Sequence, residues 1–441
     1  MLEKLTAAWN VPDIRKRIQY VALIFFVYVL ALHVPAAGVN HAAVERLIHS
    51  GSLFGVLDTF SGGALKKFSV IAMGIMPYIN ASIIFQLLTV AIPQLQAIQK
   101  EGESGRKIIS RYTRYASVGL AFVQAFGLYS MFVRGGAIQS GVGNMLTTII
   151  TLTAGTMFLL WLGEQITEKG IGNGISMIIF VGIVISIPQQ IIQTFKLLQE
   201  GAVSLGGVIA ITLLFLATVV GVVYMTQGTR RIPIQHMRKV VGNRMTQGGS
   251  AFLPLKVNTA GVIPIIFAIS IQLFPATLSQ FWPPETSFGK FLQTATAWMQ
   301  PGASIWASLI FVALVFFFTY FYTAIQYDTV DIADNLKKYG SLIPGIRPGR
   351  PTAEYLDKVL TRITFAGALF LAGISLIQYW APTWTGINSV SLVGGTSLLI
   401  VVGVALETMQ AIEAQMAMRN YEGFIKRRGD DSDNMMRGRA R

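Results

Sequence analysis

The chain alternates apolar stretches of membrane-crossing length with short polar connections. Ten such stretches run over about residues 18–34, 70–92, 115–133, 146–162, 175–187, 205–224, 259–274, 305–325, 363–380 and 394–409. A helix needs about 20 apolar residues to cross the hydrocarbon core, less where it is broken or partly shielded. Backbone polar groups in lipid have to be satisfied within the segment, so each stretch reads as a helix. The pattern predicts an all-α polytopic membrane protein with ten transmembrane helices.

The second stretch breaks this regularity. From Phe60 the chain passes through a small-residue turn (Ser61, Gly62, Gly63) and a cationic pair (Lys66, Lys67) into an apolar run carrying Gly74, Pro77, Tyr78 and Asn80. A piece too short to span is followed by one that can. Proline and polar residues at membrane depth are tolerated where they are buried in protein or line a cavity. The segment is a candidate pore element.

Composition narrows the class. With 53% hydrophobic and 13% charged residues, no single soluble core would use so many apolar runs. The absence of cysteine removes disulfides, thiolate metal sites and cysteine nucleophiles. The first residues, with Trp9, Asn10, Pro12 and Asp13, match neither a signal peptide nor a transit peptide, so no removed leader is expected. The net charge of +14 is sorted by side: of the 35 lysines and arginines, only Arg46, Lys66, Lys67, Arg134, Lys196 and Lys290 fall on the side expected to face outward. That asymmetry places both termini and both long polar loops, 227–256 and 326–362, in the cytoplasm. The first loop offers little from which to build a core, and the second is a turn-rich basic loop.

Displacement by 187 residues superimposes Gly74, Pro77, Ile79, Ala81 and Ile84 of the second span on Gly261, Pro264, Ile266, Ala268 and Ile271 of the seventh. Five spans separate the copies, an odd number, so the second half would enter the membrane with opposite polarity. Gly and Pro are frequent in membrane helices, and chance identity is the competing explanation.

The span interiors hold essentially no ionisable side chain, whereas ion and charged-solute transporters normally keep some near the midplane. Their polar residues (Asn80, Gln86, Gln124, Gln272, Gln378) are uncharged and suit interhelical hydrogen bonds. No HExxH, paired intramembrane aspartate or GxSG motif is present, and no enzymatic site or cofactor is expected. Isoleucine lines the candidate path instead: Ile75, Ile79, Ile175, Ile179, Ile266 and Ile400. Branched aliphatic side chains make a compliant constriction that can dewet, though for any one of them taken alone core packing or lipid contact is the better explanation. Two readings stand on the residues: a protein-conducting channel, or a secondary transporter of a small solute.

A set of ordered motifs resolves the choice. FSGGAL (60–65), GIMPYINASII (74–84), EGESGR (101–106), GTMFLLWLGEQITEKGIGNGIS (155–176), PLKVNTAGVIP (254–264), ADNLKKYGSLIPGIRPG (333–349) and GGTSLLIVVGV (394–404) together resemble the SecY family, channel subunits of the bacterial Sec protein translocase. The resemblance implies two inverted, pseudo-symmetric five-helix halves forming a clamshell around a central pore. It divides the chain into an amphipathic start (1–17), a first half (18–187), an outer hinge (188–204), a second half (205–412) and a basic tail (413–441). The family's pore ring falls on the six isoleucines above. Its plug falls on about 53–67, including Phe60, Ser61, Gly62, Gly63, Ala64 and Leu65. Its lateral gate lies between spans two and three and spans seven and eight, at Asn80, Ile84, Gln124 and Ile271; relatives more often carry a smaller hydroxyl residue where Asn80 stands.

The resemblance also implies SecE and SecG subunits, the SecA motor ATPase, the ribosome, and signal peptides of nascent or precursor polypeptides as partners, with the energy supplied from outside the chain. For the basic loops, topology alone, anionic phospholipid contact and docking are the available readings. Lys100, Arg106 and Arg114 suit the first. Arg230, Arg231, Arg238, Lys239, Arg347 and Arg350, on loops longer than a connection requires, suit docking, and Arg347 matches the family's partner-engaging loop arginine. The expected location is the bacterial plasma membrane.

Overall fold

The computed structural model describes residues 6, 8–40, 43–44, 61–236, 240–241, 244–245, 249–279, 281–282, 285–299, 304–385 and 395–438. The helices are α1 (Pro12–Leu32), α2 (Met76–Ala91), α3 (Pro93–Lys100), α4 (Glu103–Arg134), α5 (Val142–Lys169), α6 (Gly174–Gln199), α7 (Leu205–Gln227), α8 (Ile263–Ser279), α9 (Ser287–Met299), α10 (Ile305–Gln326), α11 (Thr329–Lys338), α12 (Arg350–Thr385) and α13 (Gly395–Gly438). Among the described residues, α4, α5, α6, α7, α10, α12 and α13 are each long and apolar enough to cross a membrane alone. The bent pair α2 and α3 passes the same test together, and α8 is a shorter apolar helix. With α1, whose apolar run follows a charged first turn, these make the ten spans. Two compact units are present, Met1–Ser186 with Val404–Arg441, and Ile187–Gly403.

In the first unit the second span departs from a simple helix. Regular structure begins only at Met76, not near 70, because 61–75 is a succession of tight turns with positive φ at Gly62, Gly63, Phe68 and Gly74. Pro77 lies in the first helical turn, where its missing N–H costs nothing. Ile92, held extended before Pro93, ends α2, and the chain turns by 100° into α3. In the second unit Gly261 (φ +63°) precedes α8 as Gly74 (φ +57°) precedes α2, and Pro264 occupies the first turn as Pro77 does. The two aligned segments therefore share a local backbone plan.

The first long loop is not without a core. Thr229–His236 (β1) and Ser250–Lys256 (β4) pair antiparallel, with Ser341–Leu342 (β5) joining β1 at its far end, and Val240–Val241 (β2) pairs with Arg244–Met245 (β3). Alternation places Ile232, Ile234 and Leu255 on one face, where Ile232 and Leu255 meet Ile343 of the second loop and Leu356 and Leu360 of α12. Two loops that read as separate share one small core.

Val257 N–H donates to the Gly228 carbonyl (2.9 Å) and His236 N–H to that of Gly249 (3.0 Å), which fixes the alternation of bonded pairs in the hairpin. Pro233 and Pro254 then fall at positions whose N–H would point away from the partner strand. Proline fits there without breaking the β1–β4 ladder, and Pro254 blunts the free outer edge of β4 against strand addition, while the outer side of β1 carries β5 at its far end.

Leu356 is 1% exposed, and its truncation to alanine should cost about 2–5 kcal/mol by the usual cavity effect. The expected readout is faster tryptic cleavage after Arg230 and Arg231 in the otherwise folded protein. Wild-type cleavage rates would show that the hairpin does not depend on that core.

Candidate functional site

The irregular segment ahead of α2 is seated by the first unit's own helices. The Tyr28 hydroxyl of α1 donates to the Ser61 carbonyl (3.2 Å), both residues being buried. Gly62 (φ +69°) lies so close to Gly182 of α6 that a Cβ would stand 2.7 Å from the Gly182 carbonyl oxygen. A side chain on Gly155 of α5 would occupy the space of the Val70 carbonyl. Glycine is required at both positions by close backbone approach, which is what lets a non-helical chain lie flat against helices.

The rest of the segment is held at its edges. Ala36 N–H donates to Phe68 O (2.9 Å) and Val70 N–H to Val34 O (3.0 Å). Phe68 is fully buried against Phe132 edge to face, centroids 4.7 Å apart, and joins Leu65, Ala72 and Met73 in a core with α4 and α5. On the exposed side, Lys67 Nζ lies 2.9 Å from His33 Nε2, while His33 Nδ1 lies 2.9 Å from Val29 O. With Nδ1 donating to the carbonyl, Nε2 accepts from the ammonium. Of the expected plug residues, Ser61, Gly62, Ala64 and Leu65 are buried and Gly63 half-buried; Phe60 lies outside the described residues.

The expected ring residues divide between the units. Ile75 caps α2 and Ile79 follows one turn later, both buried, and Ile175 and Ile179 occupy the same face of the first turns of α6. Ile266 is half-buried on α8 and Ile400 buried on α13, both in the second unit. Of the expected gate residues, Asn80 on α2 and Gln124 on α4 are half-buried and Ile84 is 44% exposed. Ile271, on α8, is half-buried.

At the other end of the first unit the structure adds contacts that the sequence reading missed. Arg114 of α4 forms an ion pair with Glu164 of α5, so this cation binds helices together as well as marking a side. Tyr78 of α2 sits within electrostatic reach of both. Beside them the Tyr20 hydroxyl donates to Gln165 Oε1 (3.2 Å) and Arg17 to the Gly170 carbonyl (3.3 Å). Span-by-span reading cannot supply such partners, which come from different helices.

In the second unit Arg230 and Arg231 are exposed on β1 and, being adjacent in a strand, project to opposite faces of the hairpin. Arg347 is exposed, and its carbonyl accepts from Thr352 Oγ1 (2.8 Å), which pins the loop to the start of α12. Arg350 reaches Glu354 at 3.3 Å across one exposed turn. Arg238 and Lys239 lie outside the described residues. Among the described residues no group of three metal-ligating side chains converges.

Ten spans, with a glycine-seated irregular segment fronting the second, define an all-α polytopic membrane protein. Residues 69–409 match the family model described as SecY. The protein translocase subunit SecY of Streptomyces scabiei is 43% identical over 97% of this chain and its own whole length, and that of Aquifex aeolicus 42% identical over the same shares. Two solved structures share the fold. One, titled as the structure of a protein conducting channel, gives a TM-score of 0.66 at 17% identity, covering 93% of this chain and 97% of its own. The other, a SecY whose plug domain is described as stabilising the closed state, gives 0.62 at 18% with the same coverage. The chain belongs to the SecY family.

Gly62→Ala adds a methyl group against Gly182 and forces a left-handed alanine, a backbone cost of about 1–3 kcal/mol. Gly136 has nearly the same φ (+70°) and open space around it, so Gly136→Ala isolates the backbone term. In reconstituted vesicles without substrate, Gly62→Ala should raise ion leak several-fold above the Gly136→Ala control. Equal leak in the two variants would mean that the seat of residues 61–63 does not seal the protein.

Proposed function

We infer that the protein is the channel-forming subunit of a Sec-type protein translocase, passing unfolded, signal-bearing polypeptides across a membrane and releasing hydrophobic segments sideways into lipid. The observation that carries this is the match to protein translocase SecY subunits along nearly the whole chain, 43% identical over 97% of it. Nothing supports the alternative of a small-solute transporter. Purified protein reconstituted with its partner subunits should translocate a signal-bearing precursor into vesicles. Solute uptake without precursor movement would overturn the reading.

The roles of individual residues follow from physical requirements. A translocating chain presents every kind of side chain, so a wall that binds none tightly is preferable to a specific site. The aliphatic ring of Ile75, Ile79, Ile175, Ile179, Ile266 and Ile400 is assigned that role. The segment around Ser61–Leu65 is assigned as the plug, and its seating by short backbone contacts supports this. Asn80, Ile84, Gln124 and Ile271 are assigned to the lateral gate. The half-halves division remains 18–187 and 205–412, joined by 188–204.

The chain acts as a passive subunit, with work supplied by a partner ATPase, a translating ribosome or the proton-motive force. SecE, SecG, SecA, the ribosome and anionic phospholipids are its proposed partners, in a bacterial plasma membrane with both termini cytoplasmic. The basic hairpin and the Arg347 loop, mounted on one small core, are the proposed docking face. For an RNA partner, binding there should weaken steeply with salt.

Arg347→Glu reverses the charge of an exposed side chain whose carbonyl, not its guanidinium, holds the local fold. Precursor export should fall about tenfold or more, as expected when a charge central to an interface is inverted, while membrane insertion stays normal. Wild-type export would remove Arg347 from the docking face.

The chain has no native cysteine, which allows a clean test of the gate. Crosslinking cysteines introduced as I84C and I271C should block signal-sequence release into lipid, with activity restored by reduction. Full export by the verified crosslinked species would count decisively against the gate assignment.

A further inference from the structure

The connection between α8 and α10 contains a helix that none of the assigned functions uses. α9 is only 13 residues long, too short to cross a bilayer, and it packs against α8 and α10. At 3.6 residues per turn its side chains sort into three stripes rather than two. Gly289 and Leu292 are buried, with Thr296 and Met299 half-buried beside them, and form the protein-facing stripe. Phe288, Phe291 and Trp298 form a second stripe, exposed by 46%, 64% and 62%. Lys290, Gln293 and Thr294 form a third, polar and exposed.

A helix that merely covers protein needs one apolar face. Here a second one, entirely aromatic at its large positions, lies between the packed stripe and the polar stripe. It is reinforced by Trp282, which meets Phe288 edge to face at 5.0 Å, while Phe288 stacks on Phe291 at 6.3 Å. The exposed apolar surface carries on into the start of α10, with Ile305, Trp306 and Leu309, which belongs to a membrane span. Aromatic rings favour the headgroup level of a bilayer, and a lysine on an adjacent stripe can extend its ammonium to the phosphates while its stem stays apolar. Within α9 Lys290 is the only charged residue, while the exposed Glu285 stands two residues before its first turn.

We propose that α9 is an interfacial helix: protein on one side, the headgroup and upper acyl region of the bilayer against Phe288, Phe291 and Trp298, and water over Gln293 and Thr294. Because α9 is packed on α8, the bilayer surface then bears directly on that span. The helix lies at the end of α8 opposite the β-hairpin, so this anchor and the docking face act on the two ends of one element. Interfacial helices bind through buried apolar area assisted by basic residues, which is the composition found.

The cysteine-free chain permits nitroxide labels at single positions of the full protein in phosphatidylcholine vesicles. Three variants sample the three stripes: F291C, L292C and T294C. The label at position 291 should collide with oxygen, which concentrates in lipid, several-fold more than with a water-soluble nickel chelate. At position 294 the preference should invert, and at position 292 both collisions should be low. A nickel-accessible label at 291 would place the aromatic stripe in water and overturn the proposal. A label at 291 shielded from both reagents would mean that a second copy or another protein covers the stripe, which overturns it equally. Should L292C fail to insert, its stripe is already fixed by packing, and W298C repeats the lipid-facing measurement at the far end of the helix.

Discussion

In hydrocarbon every backbone N–H and C=O has to find a partner inside the protein, and the structure around residues 61–75 depends on how that demand is met where the helix is interrupted. Local turn bonds satisfy part of it, including Phe68 N–H to Leu65 O (3.0 Å), Ser69 N–H to Ala64 O (3.0 Å) and Gly74 N–H to Ile71 O (2.8 Å). The bridge to Val34 and Ala36 satisfies more. What remains is a compact, nearly self-sufficient ribbon that needs only a surface to lie on. Gly182 and Gly155 make that surface by removing side chains where the ribbon crosses α6 and α5. In the proposed plug role most of the ribbon's backbone bonds would travel with it, leaving the bridge to Val34 and Ala36 and the seat contacts to be broken.

The spans were legible because a run of apolar residues is a one-dimensional signal. The start of α2 was not. Residues 70–75 are as apolar as the helix that follows, and hydropathy is blind to the turn that Gly74 and its neighbours impose. The hairpin was missed for a different reason. Charge dominates the composition of the loops, and the alternation of Ile232 and Ile234 against Leu253 and Leu255 is a period-two signal hidden among arginines and prolines. Its core became visible only with Leu356 and Leu360, about a hundred residues further on. α9 is likewise hidden, since three stripes on a short helix look like mixed composition.

Pattern marks isoleucine along the candidate path but does not single out ring or gate positions. An isoleucine facing lipid, core or pathway looks the same in a sequence, and those assignments came from the ordered motifs. Arg114 shows the converse limit. A cation near a span end fits the charge asymmetry so well that its ion pair with Glu164 went unsuspected. Partly exposed pairs of this kind contribute modestly on their own. This one has a tyrosine of α2 in reach and so couples three helices of one unit.

The same ribbon carries two local liabilities. Phe68 is held at φ +42°, a conformation a bulky residue adopts at a cost of about 1–3 kcal/mol. The buried hydroxyl of the next residue, Ser69, finds no hydrogen-bond partner among the described residues. Against these stand the buried ring of Phe68 on Phe132, the Tyr28 bond and the core shared with α4 and α5. The two liabilities lie side by side a few residues beyond the Ser61 and Gly62 contacts, so packing holds this part of the ribbon in place against local backbone strain.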